Sequence, residues 1–156
     1  MTIGRRAFLK LGGSTMACAC AGTVGISGCA LAGAARTPAA PEGSYRREGD
    51  KVIVTLSAAG ELATVGGAVR VALDGGEVRL IVVHPEDQVY HAFADRCTHN
   101  GKELDYLHEE GEIGCRSRKS RFDLGGSLIK GPALGGLAVY PVRRQEDELV
   151  IEVNLS

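Results

Sequence analysis

The sequence predicts a small all-β domain, a sandwich or small barrel of antiparallel strands. Short runs of Val, Ile and Leu recur from Asp50 onward, and glycine or charged residues separate them, which is the spacing of short strands joined by turns. The chain of 156 residues has 22 glycines, no tryptophan and few aromatic residues, so we expect a core of small aliphatic side chains. A formal net charge of -1 gives no reason to expect nucleic acid as a partner.

The individual strands follow from the same pattern. The run KVIVTLSAAG begins at Lys51, and GGAVRVALDGGEVRLIVV predicts a hairpin about residues 74–76. HPEDQ, residues 84–88, is expected to form the next turn and to lead into VYHAFADRC. The later runs GEIGC, SRFDLGGSLIKGP, LAVYPVRRQ and ELVIEVNLS predict further strands, with turns at residues 125–126 and 146–147.

The N-terminus has the pattern of an export segment. An arginine pair, Arg5 and Arg6, precedes Ala-Phe-Leu-Lys, and residues 11–35 carry no charge. The order Arg-Arg-x-Phe-Leu-Lys resembles the twin-arginine signal, which exports folded proteins. We therefore expect the domain at the periplasmic or extracytoplasmic face of the cytoplasmic membrane. Because cofactor proteins often use this route, the motif also favours a cofactor.

The fate of the export segment is open at the level of sequence. ISGC, residues 26–29, resembles a lipobox, in which Cys29 carries a lipid and becomes the new N-terminus. Cleavage near residues 30–32 is one alternative, and retention of an apolar anchor of about 25 residues, long enough to span a bilayer, is another. All three place the domain outside the cytoplasm. The predicted organisation is a signal or anchor over 1–35, a Pro/Ala-rich linker over 36–48 and a folded domain over 49–156.

Cys97 and Cys115 are the cysteines of the predicted domain, and each stands in a loop-like stretch. CTHNGKEL places His99 just after Cys97, and GCRSRKSRFDL begins the second stretch with Cys115. In an oxidising compartment the two cysteines could form a disulfide. A cysteine beside a histidine is also half of a metal site, since thiolate and neutral imidazole are both metal ligands.

This spacing resembles the Rieske family of [2Fe-2S] proteins. In that family each of two loops provides one cysteine and one histidine, the cysteines to the inner iron and the histidines to the outer one. SRFDLGGSLIKGPA resembles the segment after the second loop, including the proline loop that covers the cluster, and LAVYPV resembles the last strands. The resemblance spans roughly Lys51 to Val153 and implies a Rieske-like antiparallel fold with two cluster-binding loops.

The second ligand pair departs from the family pattern. Arg118 stands where Cys-x-x-His would place the second histidine. Guanidinium has no lone pair to offer until it loses a proton, and with a pKa above about 12 this loss near pH 7 costs roughly 7 kcal/mol before bonding to iron offsets it. The resemblance implies Cys97, His99 and Cys115 as ligands, with Arg118 or water in the fourth position.

Three other interpretations are open. Another histidine, His84, His91 or His108, could replace the missing ligand, although each is more often a packed or surface residue. Two cysteines and one histidine with a water are also an accepted donor set for zinc. Finally, the domain could keep the fold without a cluster and act as a binding or structural module.

Residues near the ligands bear on the properties of such a cluster. In the respiratory branch of the family each loop has one more cysteine, and these two additional cysteines form a disulfide. In this sequence the corresponding positions hold Lys102 and Ser117. Since that disulfide is missing, we expect the two loops to be less tightly linked to each other. Ser120 matches a serine that donates a hydrogen bond to a bridging sulfur in high-potential members. A positive tip, suited to an acidic redox partner, is expected from Lys102, Arg116, Arg118, Lys119 and Arg121.

The sequence therefore predicts an exported, membrane-attached electron-transfer protein. The resemblance implies a [2Fe-2S] cluster that passes single electrons between partner proteins or from a quinol-oxidising complex, with no substrate chemistry of its own. The alternative is a cluster-free Rieske-fold subunit that binds a partner through its basic loops. No serine nucleophile, carboxylate pair or phosphate-binding loop in the sequence indicates a stand-alone catalyst.

Overall fold

The computed structural model describes residues 36–117 and 119–153 of the chain. Within these residues the strands are β1 (Tyr45–Glu48), β2 (Lys51–Thr55), β3 (Ala68–Leu73), β4 (Val78–Glu86), β5 (Val89–Ala94), β6 (Leu104–Leu107), β7 (Glu112–Cys115), β8 (Arg121–Phe122), β9 (Leu128–Lys130), β10 (Val139–Tyr140), β11 (Val142–Gln145) and β12 (Glu148–Glu152). Short 3-10 helices occupy Leu56–Ala58, Gly60–Ala63 and Asp74–Gly76. Every pairing between these strands is antiparallel, so the predicted all-β class is confirmed.

The strands form sheets of four strands each. The first sheet has the order β1-β2-β12-β11, the second β10-β5-β4-β3, and the third β6-β7-β8-β9. The predicted turns are confirmed at residues 74–76, 125–126 and 146–147, where β3 joins β4, β8 joins β9 and β11 joins β12. Each of these turns has a residue with positive φ, as a tight reversal between strands requires.

The stretch predicted as a turn at residues 84–88 is mostly strand. β4 continues to Glu86, and its register against β5 shifts between Val83 and Glu86, which is a β-bulge. The bulge accommodates Pro85, which has no N–H to give to the ladder. The turn itself is confined to residues 87–88, and Gln88 has a φ of 64°.

The second sheet buries both of its faces. On β4, Leu80 and Val82 pack into a core shared with the first sheet, while Ile81 and Val83 pack into a core shared with the third sheet. A strand covered on both sides has an uninterrupted apolar run, because no position needs to be polar. The core between the second and third sheets also contains both cysteines of the domain, and it ends at the candidate site.

The segment before β1 packs on the domain. Thr37 is buried; its Oγ1 accepts a hydrogen bond from the Tyr106 N–H (2.9 Å), and its own N–H donates to Asp105 Oδ1 (3.1 Å). A parallel bridge to β3 follows, and we name residues 37–40 the N-terminal strap. The range 36–48, expected to be a linker, therefore includes both this strap and β1.

The predicted export segment, residues 1–35 with Cys29, lies outside the described residues, and so does Arg118. Across the part of the chain that the structure describes, no helix is long and apolar enough to cross a membrane. Export, lipid attachment and the role of Arg118 remain predictions from the sequence.

Candidate metal centre

Both domain cysteines lie at one end of the β6–β7 hairpin. Cys115 is the last residue of β7 and pairs with Leu104, the first residue of β6. We name residues 95–103, which contain Cys97 and lead into β6, loop 1, and residues 116–120, which lead from β7 to β8, loop 2. The register of the hairpin brings the C-terminal end of loop 1 beside the N-terminal end of loop 2.

Backbone hydrogen bonds shape each loop around its cysteine. In loop 1 the Cys97 N–H donates to the Lys102 carbonyl (2.8 Å), and the Gly101 N–H donates to the Cys97 carbonyl (2.8 Å). Gly101 has a φ of 70°, which glycine adopts without a steric penalty. At loop 2 the Cys115 N–H donates to the Ser120 carbonyl (3.0 Å). Each loop therefore closes on the backbone of its own cysteine.

The two thiols are buried, free and close together. Cys97 is 1% and Cys115 is 2% exposed, and no disulfide joins them. Both side chains belong to the core between the second and third sheets, and Ser117 Oγ lies 3.0 Å from Cys115 Sγ. Burial raises the pKa of the Cys97 thiol. Burial acts in the same direction on Cys115, but the contacts with Ser117 and Cys97 outweigh it and lower the pKa of Cys115.

The Ser120 hydroxyl is buried at the end of loop 2. The residue has no exposed surface, and among the described residues its Oγ has no hydrogen-bond partner. Buried hydroxyls normally have a partner, because leaving a polar group without one costs about 1–3 kcal/mol. The Ser120 hydroxyl is therefore a hydrogen-bond donor at the end of loop 2 for which the described residues provide no acceptor.

The histidine predicted as a ligand lies in loop 1 and is exposed to solvent. His99 follows the buried Cys97 by two residues. Within residues 36–117 and 119–153, no three side chains of His, Cys, Asp and Glu are grouped so that they could hold a metal ion. The ligand roles of Cys97, His99, Cys115 and Arg118 stay predictions.

The other three histidines lie away from the cysteine pair. His108 is in the turn at the opposite end of the β6–β7 hairpin, as expected, and its Nδ1 lies 3.1 Å from the Tyr106 hydroxyl. His84 is buried in β4, with Nδ1 3.1 Å from the Leu62 carbonyl. His91 is half-buried in β5. A ligand role for any of these three histidines stays a prediction.

Residues 131–136, which we name the proline loop, contact both cysteine loops. Thr98 Oγ1 in loop 1 donates a hydrogen bond to the Gly135 carbonyl (2.8 Å). Gly131 has a φ of 112° and lies so close to loop 2 that a Cβ there would stand 2.5 Å from Ser120 Cα. The proline loop therefore packs against the backbone on both sides of the candidate site.

A network of charged side chains that sequence analysis missed lies beside the two loops. Its members are Arg70, Arg79, Asp95, Glu103, Asp105 and Arg116. Asp95 is buried, accepts the Leu104 N–H (2.7 Å) and lies 3.3 Å from Arg70 Nε through Oδ2. Burial raises the pKa of Asp95, and the Leu104 N–H and the nearby arginines oppose this rise without cancelling it.

The positive tip predicted from the sequence is partly neutralised. Arg116 forms an ion pair with Glu103, and Arg121 Nη1 lies 3.7 Å from Glu112 Oε2 of β7. Both arginines therefore carry a nearby opposite charge. The exposed positive side chains of the two loops, among the described residues, are Arg96, Lys102 and Lys119.

The all-β fold and the two cysteine loops beside one end of a hairpin agree with the class of iron-sulfur proteins that the sequence resembles. A family model of the Rieske [2Fe-2S] domain matches residues 52–141, more than half of the chain. The chain belongs to the Rieske [2Fe-2S] family.

Among solved structures, the chain is similar to the cyanobacterial plasma membrane Rieske protein PetC3 from Synechocystis PCC 6803, with 23% identity over 55% of this chain and 85% of that one and a TM-score of 0.48. It is also similar to the ferredoxin of carbazole 1,9a-dioxygenase from Nocardioides aromaticivorans IC177, with 22% identity over 56% and 86% and a TM-score of 0.48. A complex of reduced oxygenase and oxidised ferredoxin in carbazole 1,9a-dioxygenase gives 25% identity over 56% and 90% and a TM-score of 0.49. No curated protein matches the sequence.

Proposed function

We propose that the protein is an exported, membrane-attached electron carrier that holds a [2Fe-2S] cluster between loop 1 and loop 2. When bound, such a cluster takes one electron from a donor and passes it to an acceptor, and no covalent bond of the protein is made or broken. The observation that carries the proposal is the pair of buried, free thiols of Cys97 and Cys115, which lie in one core cluster.

The residues fit the thiolate half of a Rieske cluster. Two cysteines that bind one iron must lie side by side, and Cys97 and Cys115 do. Ser120 contributes a buried hydroxyl without a partner among the described residues, and a sulfur of the cluster is an acceptor for it. His99 is exposed whereas both cysteines are buried, which suits the cysteines as ligands of the inner iron and the histidine as a ligand of the outer one.

The fourth ligand position is the point at which this chain differs from its family. Arg118 occupies it in sequence, and an arginine must lose its proton before it can bind iron. We assign Cys97, Cys115 and His99 as the protein ligands, with the fourth position held by Arg118 or by water. A water ligand would make the outer iron open to exchange.

The surface beside the site favours a protein partner. Leu134 in the proline loop is 91% exposed, and Lys102 and Lys119 are exposed in the two cysteine loops. Apolar and positive side chains together are complementary to an acidic redox protein or to a quinol-oxidising complex. The N-terminal segment would attach the domain to the membrane, through a lipid on Cys29 if the lipobox is used; mass spectrometry of the mature N-terminus tests this directly.

Iron and acid-labile sulfide, measured on protein exported with its own signal, test the cluster, together with low-temperature EPR after dithionite reduction. We expect two irons and two sulfides per chain and a rhombic signal, the composition of a [2Fe-2S] centre. Folded, exported protein with neither iron nor signal would favour the cluster-free alternative, a module that binds a partner through its basic loops.

Variants of the ligands separate these outcomes. Cys97→Ser and Cys115→Ser should each greatly reduce the iron content, because serine is a much poorer iron ligand than a thiolate, whereas Cys18→Ser in the N-terminal segment should not. Unchanged iron content in the first two would refute the ligand assignment. Arg118→His restores the second histidine of the family pattern. If the wild type is colourless and Arg118→His is red, the presence of arginine at this position accounts for the loss of the cluster.

A further inference from the structure

An ion pair joins the two cysteine loops. Arg116, which directly follows Cys115, makes this pair through Nη1 with Glu103 Oε2 at the end of loop 1. The main chains of the same two residues are also linked, since the Arg116 N–H donates to the Glu103 carbonyl (3.0 Å). Side chains and backbone therefore connect loop 1 to loop 2 at one point.

Further ion pairs anchor this contact in the domain. Arg79 Nη2 donates to Glu103 Oε1 (3.1 Å) and also lies 3.7 Å from the buried Asp95. Arg116 Nε lies 3.9 Å from Asp105, which in turn pairs with a largely buried arginine of β3. An isolated ion pair on a surface contributes little to stability, whereas a network that holds its members in place contributes more. The Glu103–Arg116 pair is the outer end of such a network.

The position of the pair matches the place where another branch of the family has a covalent link. Lys102 and Ser117, which occupy the positions of the disulfide cysteines of the respiratory branch, are the chain neighbours of Glu103 and Arg116. The loops are therefore linked ionically one residue away from where a disulfide would link them. The expectation that these loops are less tied together than in the respiratory branch stays a prediction.

We propose that the Glu103–Arg116 ion pair is a brace that takes the place of this disulfide and keeps Cys97 and Cys115 in contact. Its purpose, retention of a cluster, rests on the proposed function, but the contact itself belongs to the chain with or without iron. Both members are positioning residues, since they act on the cysteines through the loops. Unlike a disulfide, an ionic brace weakens as ionic strength rises and is indifferent to reductants.

Alkylation of the thiols in the full chain measures how often the loops open. N-ethylmaleimide is added under native conditions, and peptide mass spectrometry gives the rate for Cys97 and Cys115 separately from the cysteines of the N-terminal segment. Glu103→Gln and Arg116→Gln each remove one charge of the brace, and the double variant removes both. Urea unfolding of every variant reports global stability in parallel.

Each single variant should raise the alkylation rate of both thiols about threefold to tenfold at low ionic strength, the range expected when a partly exposed ion pair is lost from a locally opening segment. The double variant should react no faster than the faster single variant, because the two residues act as one contact. Added salt should raise the rate of the wild type and leave that of the double variant unchanged. The urea midpoint should stay at the wild-type value.

The matched control is the exposed ion pair between Arg46 of β1 and Glu148 of β12 in the first sheet. Arg46 Nη1 lies 2.9 Å from Glu148 Oε1. Arg46→Gln with Glu148→Gln should leave the alkylation rate unchanged. The brace is refuted if the loop variants react at the wild-type rate, if their effects add, if the control reacts equally fast, or if a lower urea midpoint accounts for the whole increase. If the protein contains no iron but the loop variants are alkylated faster than the wild type, the proposed function is wrong and the brace stands. If the protein contains iron but the loop variants are alkylated at the wild-type rate, the brace is wrong and the proposed function stands.

Discussion

Among single residues, Ser120 makes the most direct prediction about the cluster. Its buried hydroxyl has no partner among the described residues, and a hydrogen bond to a cluster sulfur would stabilise the added electron. Ser120→Ala should therefore lower the reduction potential of the bound cluster by roughly 50 mV, part of the about 1.5–3 kcal/mol that a hydrogen bond to a charged group contributes. A redox titration followed by EPR measures this shift.

Ser127→Ala, an exposed serine in the β8–β9 turn, is the control for this measurement and should keep the wild-type potential. The assigned role is wrong if Ser120→Ala keeps that potential too. The alternative interpretation of Ser120, a residue that only shapes a turn, predicts a change in stability without a change in potential.

His91 predicts how stability depends on pH. Burial lowers the pKa of His91, and this outweighs Glu86, which raises it. The unfolded chain therefore binds the proton more readily than the folded domain, so stability is lost as pH falls through the ordinary histidine pKa of about 6.5 towards the lower folded value. Between about pH 7 and pH 5 the unfolding free energy of the wild type should fall more steeply than that of His91→Gln, measured by urea titration at each pH.

Ser127→Ala, which removes no titratable group, provides the control for this pH dependence and should keep the wild-type slope. A wild-type slope in His91→Gln would mean that other groups cause the loss of stability at low pH.

At the scale of elements, the contact between the proline loop and loop 2 leaves no room for a side chain at Gly131. Gly131 combines a φ of 112° with backbone of loop 2 in the place of a Cβ. Gly131→Ala should displace loop 2, destabilise the domain by about 1–3 kcal/mol and reduce the iron retained per chain. Urea unfolding and iron analysis measure the two effects.

Gly135→Ala in the same proline loop is the matched control. A Cβ at Gly135 meets nothing within 4 Å among the described residues, and its φ lies outside the left-handed region, so stability and iron content should stay at wild-type values. Equal behaviour of the two variants would show that the proline loop does not hold loop 2 in place.

The strands could largely be predicted from the sequence, and the reason is local. Apolar runs and glycine turns depend on neighbours in the chain, and so does the placing of Cys97 in one loop and of Cys115 directly before another. β4 was predicted to end too early, because Pro85 indicates a turn when taken alone and is tolerated in this strand only through a bulge.

The ion network could not be predicted in the same way. Arg70 of β3 meets Asp95 of loop 1 only because the second sheet brings the two together, and nothing local in the sequence encodes that pairing. The available signal was indirect: Asp95 follows an apolar strand, and a carboxylate that becomes buried there needs a positive partner. The N-terminal strap was missed for a related reason, since its Pro/Ala-rich composition is also that of a linker.

At the scale of the whole molecule, the N-terminal strap contributes to the stability of the domain. Thr37 Oγ1 accepts the hydrogen bond of the Tyr106 N–H, and both groups are buried. Thr37→Val keeps the shape and leaves that N–H without its partner, which should lower the unfolding free energy by about 1–3 kcal/mol in urea titrations. Thr64→Val, an exposed threonine bonded only to its own 3-10 turn, should have little effect. Equal stability of the two variants would mean that the strap is held by other contacts.

The strap also sets how far the domain can move if Cys29 carries a lipid. Seven residues, 30–36, would then separate the bilayer surface from the buried Thr37. A fully extended chain of that length reaches at most about 25 Å. The lipid would then hold Thr37 within about that distance of the lipid headgroups, which would make a partner embedded in the same membrane easier to reach than one diffusing far from it.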